Sequence, residues 1–485
     1  MSACIIDAIR AAAACDPAQS ALVVGAAGGA ASARVCYGEL VARMDEIAAE
    51  LRAGGAQPGW RVGLLAPQGR GFIERALGIL ATGACLAPIP DESAGAVLSA
   101  FVERAALHAL VREPSAGAPL ELLPAPRAVD GNGDRSFLAL EPAYLRFTSG
   151  TTSRRKGVIL GQAAIMARTE AANRALAIGA RDRVLWLLPM AHHFVVSILL
   201  YLRYGATILL PPSSLARPVL EFAARERATV VYASPYHMKL LASDVSALAL
   251  PELRLAISTA EGLRADVAQA FGARFGRPVA QALGIIEVGL PVLNLVSAAE
   301  KPGALGRPVP GFEVWLRAED GAPVAPPTSR ERTGEICIRG PGCFDAYLDP
   351  WTPAREILTP DGFRTGDQGY FDEDGDLTLV GRRANRINMA GMKFFSEEVE
   401  AVLDAHPGVR RSRVFAREHA HLGEIPVAEF EPVDPARPPA RSELAAHCRA
   451  QLAAYKVPRE FKIVAALPET ATGKLARPQS EIAKN

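Results

Sequence analysis

Helix-patterned and strand-patterned stretches alternate along the first half of the chain, and that alternation limits the folds open to it. Glu39–Ala53 carries Leu40, Val41, Met44, Ile47 and Leu51 at helical spacing and stops at Gly54-Gly55. Arg61–Ala66 follows as a short apolar strand, and Gly71–Ala81 as a second helix closed by Thr82-Gly83. The pattern returns as a helix over Pro218–Ala228 and a strand over Thr229–Ala233. Parallel strands need a crossover between them, usually a helix, so this order predicts layered α/β sheets with parallel strands.

From about Gly303 the texture changes. Glu313–Arg317, Gly334–Arg339 and Asp376–Val380 are short strand-like runs bounded by Gly, Pro and Asp, which predicts an antiparallel or barrel-like β piece. Past Gly381-Arg382 comes a compact tail with a helix at Ser396–Ala405, a strand at Arg413–Arg417, a Pro-rich turn at Pro432–Pro439 and a helix at Arg441–Leu452. The expected architecture is a large N-terminal domain, residues 1–381, of layered α/β sheets plus the barrel-like piece, and a small α+β C-terminal domain, residues 382–485.

Charge and cysteine usage exclude several classes. Lys+Arg 53 against Asp+Glu 52 leaves no basic field, so nucleic acid is not an expected partner. Cys4, Cys15, Cys36, Cys85, Cys337, Cys343 and Cys448 are scattered and odd in number, with no CxxC pair and no histidine at zinc-finger spacing. That usage predicts reduced thiols in a cytosolic protein. The N-terminus lacks a basic leader and has Asp7 inside its apolar stretch, and the apolar run Val195–Leu202 is too short to span a bilayer. A cytoplasmic protein without stable membrane insertion is expected.

The chemistry concentrates in Leu145–Leu160, LRFTSGTTSRRKGVIL. An apolar strand start leads into Thr148, Ser149, Gly150, Thr151 and Thr152, then Lys156-Gly157. Hydroxyls and backbone N–H groups donate to phosphate oxygens while an ammonium offsets their charge, so the loop suits polyphosphate; a plain polar surface loop has the same composition. The Walker pattern GxxxxGK[ST] is absent.

This stretch resembles the phosphate loop, TSGTTGxPKG, of the adenylate-forming superfamily: acyl-CoA synthetases, adenylation domains of peptide synthetases, and luciferases. Further motifs follow in the family's order. Leu188–His193, LPMAHH, is similar to its Pro-x-x-His acyl-pocket motif; Gln281–Glu287, QALGIIE, to its QxYGxTE; and Thr365-Gly366-Asp367 to its TGD. Gly381–Lys393, GRRANRINMAGMK, resembles the hinge and following hairpin, and Pro468–Lys474, PETATGK, the C-terminal lysine motif.

The resemblance implies a two-step ligase. A carboxylic acid attacks the α-phosphate of Mg-ATP to give an acyl-adenylate and pyrophosphate, and a thiol then displaces AMP. ATP, Mg²⁺ and coenzyme A or phosphopantetheine are the implied small molecules. Thr148, Ser149, Gly150, Thr151, Thr152 and Lys156 are implied in phosphate binding, with Leu283 and Gly284 beside the nucleotide. Asp367 and Arg382 would grip the ribose, and Glu287 would hold Mg²⁺. Lys474 would bridge carboxylate and α-phosphate, and Thr148, Glu287 and Lys474 are the implied catalytic groups. Gly391 and Lys393 lie on the hairpin implied in thiolation. Only a short tail to Asn485 follows Lys474, so the thiol is expected in trans, on coenzyme A or on a separate carrier protein.

Departures from the family pattern carry information. Ser153 and Arg155 stand where the family prefers Gly and Pro. Leu283 replaces the Tyr that usually stacks on adenine, Ile286 a Thr that touches the α-phosphate, Asn385 an Asp and Asn388 a Lys, and Ala384 falls near the hinge position. Leu283 and Ile286 keep an alternative open, a catalytically impaired relative that binds nucleotide or acyl group. The implied acyl pocket comprises His192, His193, Val195, Ser197, Ala260 and Gly284. Amino-acid-activating members carry an Asp here that pairs with the substrate ammonium. That position falls on His193 or Val195, neither acidic, so an aryl or fatty acid is expected over an amino acid. Glu261 lies in the segment that walls the site, with no assigned role.

Overall fold

The computed structural model describes residues 4–26, 31–91, 93–113, 120–148, 156–330, 332–419, 421–468 and 475–476. The chain divides into two compact units. The first holds residues up to Thr148, Lys156–Glu313 and Ile338–Phe363; the second holds Val314–Cys337 and the chain from Arg364 onward. Residues 314–337 and 364–381, read from sequence as part of the N-terminal domain, thus group with the C-terminal residues. The reason is local: strands Phe363–Phe371 and Leu377–Arg382 pair with one another, and the second of them runs directly into the turn Arg383–Asn385.

The first unit contains the α/β layers. In its eight-stranded sheet, Arg61–Leu65 pairs in parallel with Cys85–Ile89 and with Ala109–Arg112, and Cys85–Ile89 pairs in parallel with Pro142–Phe147. Helices Tyr37–Ala53 and Arg70–Ala81 form where the apolar spacing places them. The nine-stranded sheet has a parallel centre of Thr207–Leu210, Arg183–Trp186, Val230–Ala233, Leu255–Ser258 and Val279–Ile285. Its core joins Leu185, Leu209, Val231 and Ala256 to Leu220, Phe222, Met238 and Phe271 from the covering helices.

The order of this sheet creates a site. Arg183–Trp186 lies between Thr207–Leu210 and Val230–Ala233, so the chain leaves it toward one neighbour and comes back to the other. The connections diverge at the carboxyl ends of these strands, where open α/β sheets bind their ligands.

In the second unit, the expected barrel-like piece is a five-stranded sheet that includes Glu313–Arg317, Gly334–Arg339 and the pair Phe363–Phe371 and Leu377–Arg382. A separate sheet is built on the long antiparallel pair Val409–His419 and Gly423–Pro432. Helices Ser396–Asp404 and Arg441–Gln451 pack on it through Val399, Leu403 and Leu444 against Ile387, Val414 and Phe430.

Pro142–Phe147 turns back antiparallel onto Gly157–Gly161, with Leu145 opposite Ile159 and Phe147 opposite Gly157. Gly161 ends that hairpin, and a Cβ there would stand 2.1 Å from the Leu140 carbonyl oxygen. Backbone cannot yield as a side chain does. Gly161→Ala is therefore expected to lower stability by about 1–3 kcal/mol, read from the midpoint of urea unfolding.

Candidate active site

The hairpin fixes both ends of the Thr/Ser-rich loop. The Thr148 N–H donates to the Lys156 carbonyl at 2.9 Å, and the Lys156 N–H donates to Thr148 Oγ1 at 3.3 Å. Ser149, Gly150, Thr151 and Thr152 lie outside the described residues, as does Lys474. The Lys156 ammonium sits over the Tyr347 ring, 4.4 Å from its centroid, and the Tyr347 hydroxyl donates to Glu287 Oε1 at 3.1 Å. An ammonium, a phenol and a carboxylate therefore line up beside the stem of the loop. Burial and the Glu287 charge both push the Tyr347 hydroxyl well above its ordinary pKa, so it stays a donor.

Glu287 is nearly buried, and its surroundings are cationic. Its backbone carbonyl accepts from the Phe344 N–H at 2.7 Å. Arg168, on helix Gln162–Leu176, is 2 % exposed and donates to the carbonyls of Gly342 (Nε 3.0 Å, Nη2 2.5 Å) and Ile286 (Nη1 3.0 Å). Burial lowers its guanidinium to about 10 against the pull of Cys343, Asp345 and Glu287, which leaves it charged at neutral pH. Gly342 makes this approach possible: its φ is +71°, and a Cβ there would lie 2.5 Å from the Arg168 backbone nitrogen. Arg146, on strand Pro142–Phe147, donates to the His192 carbonyl and also feels Glu287.

The acyl-pocket residues named from the sequence cluster around two segments. Met190–His193 is a short α-turn that widens into a π-turn at Phe194–Ile198. His192 and His193 are half-buried there, with the His193 ring edge-on to Trp186 at 6.4 Å. Val195 and Ser197 are buried in packing, and the Ser197 hydroxyl donates to the His193 carbonyl. In the second segment, Ala260 takes φ +80°, a conformation L-residues rarely adopt. Thr259 Oγ1 donates to the Ala282 carbonyl at 3.3 Å and Gln281 Oε1 accepts from the Leu263 N–H at 2.8 Å, so this turn is fastened to the strand that carries Leu283 and Gly284. Glu261 is exposed.

A cavity of about 290 Å³ opens at the carboxyl ends of Arg183–Trp186 and Thr207–Leu210, lined among others by Trp186, Leu188, Met190, Pro212, His237 and Leu241. None of the six sequence-named acyl residues lines it. Burial holds the His237 imidazole below its ordinary pKa, hence neutral, with Nδ1 2.8 Å from Ser234 Oγ.

In the second unit, Asp367 and Arg382 face each other across paired strands, with Arg382 Nε 3.0 Å from Asp367 Oδ1. The stretch expected to act as a hinge is braced by Glu397, whose Oε1 accepts from the Arg382 N–H at 3.3 Å and from Asn385 Nδ2 at 2.5 Å. An Asp at 385 would set two carboxylates against each other, which accounts for the amide there. Gly391 and Lys393 lie on the hairpin of Arg386–Met389 with Met392–Phe395. Its turn residues Ala390 and Gly391 have φ +51° and +88°. Lys393 Nζ is 3.7 Å from Glu319, which also pairs with Arg386.

Three residues escaped the sequence reading: Arg146, Arg168 and Tyr347. Each is an ordinary-looking polar residue inside a strand or helix pattern, and only partners distant in sequence reveal its place.

Residues 9–348 match the family model of AMP-binding enzymes, and residues 398–474 match the C-terminal domain of AMP-binding enzymes. Sulfoacetate–CoA ligase of Cupriavidus necator is 32% identical over 341 residues, covering 69% of this chain and 66% of that protein. Feruloyl-CoA synthase of an Amycolatopsis species is 28% identical over 458 residues, covering 91% and 92%. Among solved structures, o-succinylbenzoate CoA synthetase from Bacillus subtilis, in complex with its acyl-adenylate intermediate, superposes with TM-score 0.84 at 23% identity over 98% of each chain. The chain belongs to the AMP-binding enzyme family.

The buried Arg168 yields a prediction. A lysine carries one ammonium where the guanidinium spans two carbonyls, so Arg168→Lys leaves a buried acceptor unmet. The expected loss is about 1–3 kcal/mol of unfolding free energy by chemical denaturation. An unchanged midpoint would mean that water replaces the missing donor.

Proposed function

We propose that the chain is an AMP-forming acid–thiol ligase: it joins a carboxylic acid to ATP as an acyl-adenylate and then transfers the acyl group to coenzyme A. The observation that carries this reading is the string Lys156–Tyr347–Glu287 beside the pinned stem of the Thr/Ser-rich loop. Two anions must meet in the first step, so cations and N–H donors are needed where negative charge accumulates. Lys156 and the loop hydroxyls answer the β- and γ-phosphates. Glu287 presents a carboxylate to the Mg²⁺ that arrives with ATP; one oxygen is oriented by Tyr347, and a hard oxygen donor suits that ion. Asp367 and Arg382 hold the ribose. Lys474 contacts the carboxylate and α-phosphate as the pentavalent charge develops.

The second step calls for a different face of the same site. Residues from Arg382 onward act as a mobile element that withdraws Lys474 and presents Gly391 and Lys393 to the thiol. The acceptor is coenzyme A, by analogy with the ligases named above; the phosphopantetheine arm of a separate carrier protein is the finer alternative. The acid is aryl or aliphatic and not an amino acid. No carboxylate stands at His193 or Val195, and one relative is a feruloyl-CoA synthase, named for an aromatic acyl group.

Isotope exchange between ATP and pyrophosphate, run against a panel of aryl, aliphatic and amino acids, tests both points. Exchange driven by aryl or medium-to-long aliphatic acids is expected. A standard amino acid as best substrate would overturn the acid assignment, and nucleotide binding without exchange for any acid would favour the impaired-relative reading that Leu283 and Ile286 keep open.

The lysine separates the half-reactions. Lys474→Ala is expected to slow adenylation by at least ~10²-fold, while an acyl-adenylate supplied chemically is still transferred to the thiol at a near wild-type rate. Single-turnover kinetics of each step measures this; equal loss in both steps would give Lys474 a structural role.

A further inference from the structure

Arg146 is half-buried and differs from the buried Arg168 in how it is held. The Arg168 guanidinium is caged by carbonyls, whereas among the described residues the Arg146 guanidinium makes one hydrogen bond, from Nη1 to the His192 carbonyl, and its buried Nε meets no partner. Partial desolvation of so poorly satisfied a cation opposes folding, and the nearby Tyr144 and Glu287 offset only part of that cost. Its place in the fold gives it reach in two directions. On strand Pro142–Phe147, Leu145 packs into the apolar cluster with Ile89, Ile159 and Leu348. Tyr144 and Arg146 alternate to the other face, where Arg146 meets His192. Two residues on is Thr148, pinned to Lys156.

The carbonyl that Arg146 holds lies at an irregular point. His193 has φ −124° and ψ 9°, and the Leu199 N–H reaches back to the Phe194 carbonyl, the five-residue spacing of a π-turn. Such widened turns are frequent at functional sites. The side chain that fixes this one comes from the strand that feeds the phosphate loop.

We propose that Arg146 is a positioning residue: by holding the His192 carbonyl it sets the π-turn that carries His192 and His193, and ties the acid-binding segment to the stem of the phosphate loop. The inference rests on the ligase reading for its kinetic test. It has a second readout that does not.

The experiment compares wild type, Arg146→Met and Arg146→Lys with an aryl acid that supports exchange. In Arg146→Met the KM for the acid is expected to rise at least tenfold, while the Kd for Mg-ATP by calorimetry stays within threefold. Arg146→Lys, which keeps a donor for the carbonyl, is expected to recover at least half of the logarithmic loss. Independently of activity, the fluorescence of Trp186, isolated by subtracting the spectrum of the matching Trp186→Phe form, is expected to change in Arg146→Met, because His193 rides on the turn and packs edge-on to that indole. An acid KM within twofold of wild type in both variants, or equal shifts in acid KM and ATP Kd, would overturn the proposal. If Arg146→Met does not fold, Arg146→Lys decides alone: a three- to tenfold rise in acid KM without a matching change in ATP Kd supports it, and no rise overturns it. A wild-type protein inert toward every acid would remove the ligase reading instead. The Trp186 signal then decides the positional claim, an unchanged spectrum refuting it.

Discussion

The site depends on keeping a guanidinium charged inside the protein. Arg168 is buried, and a buried cation is tolerable only where acceptors surround it. Those acceptors are the carbonyls of Gly342 and Ile286, which sit on two segments far apart in sequence from Arg168 and from each other. Satisfying one side chain thus brings together helix Gln162–Leu176, the end of the QALGIIE motif and the segment that leads to Tyr347. Glu287 and Tyr347 meet because their neighbours are both fastened to Arg168. The glycine at 342, with its positive φ and absent side chain, is the local condition for that fastening.

The phosphate loop obeys a different constraint. It is rich in groups that favour turns and poor in apolar anchors, so its ends are held by the antiparallel hairpin below it. The segments proposed to bind the acid are held by side-chain-to-backbone bonds, with Ser197 and Arg146 at the π-turn and Thr259 and Gln281 at the Ala260 turn. In the second unit, Glu397 and Glu319 do the same for the hinge stretch and the hairpin. Each functional loop is thus fastened by a polar contact from a regular element, as a preorganised site requires.

Much of this was legible in the sequence. The helix predicted over Glu39–Ala53 runs Tyr37–Ala53, and the strand predicted over Arg61–Ala66 runs Arg61–Leu65, because apolar periodicity and the Gly stops dominate there. Strand Arg413–Arg417 was foreseen too short: its ends are polar, and only the ladder to Gly423–Pro432 extends it to Val409–His419. The π-turn was hidden because the apolar run Phe194–Ile198 suits a helix of either pitch. The grouping of residues 314–337 and 364–381 with the C-terminal residues was hidden as well, since strand patterns do not name their partners. Among the candidate site residues, the motif order pointed to Lys156, Glu287, Asp367 and Arg382 as ligands of the nucleotide and its metal, roles that stay proposals. Arg146 and Arg168 carry no signal in the sequence; the burial of Arg168 and the half-burial of Arg146 follow from acceptors that sequence spacing cannot reveal.

The central claim is that the acid carboxylate attacks the α-phosphate of ATP. Incubation of the enzyme with ATP, coenzyme A and an accepted acid labelled with ¹⁸O in its carboxylate tests it by mass spectrometry of the products. Attack at the α-phosphate places one ¹⁸O in AMP and none in pyrophosphate. Label in inorganic phosphate, with ADP as the nucleotide product, would place the attack at the γ-phosphate and contradict the account.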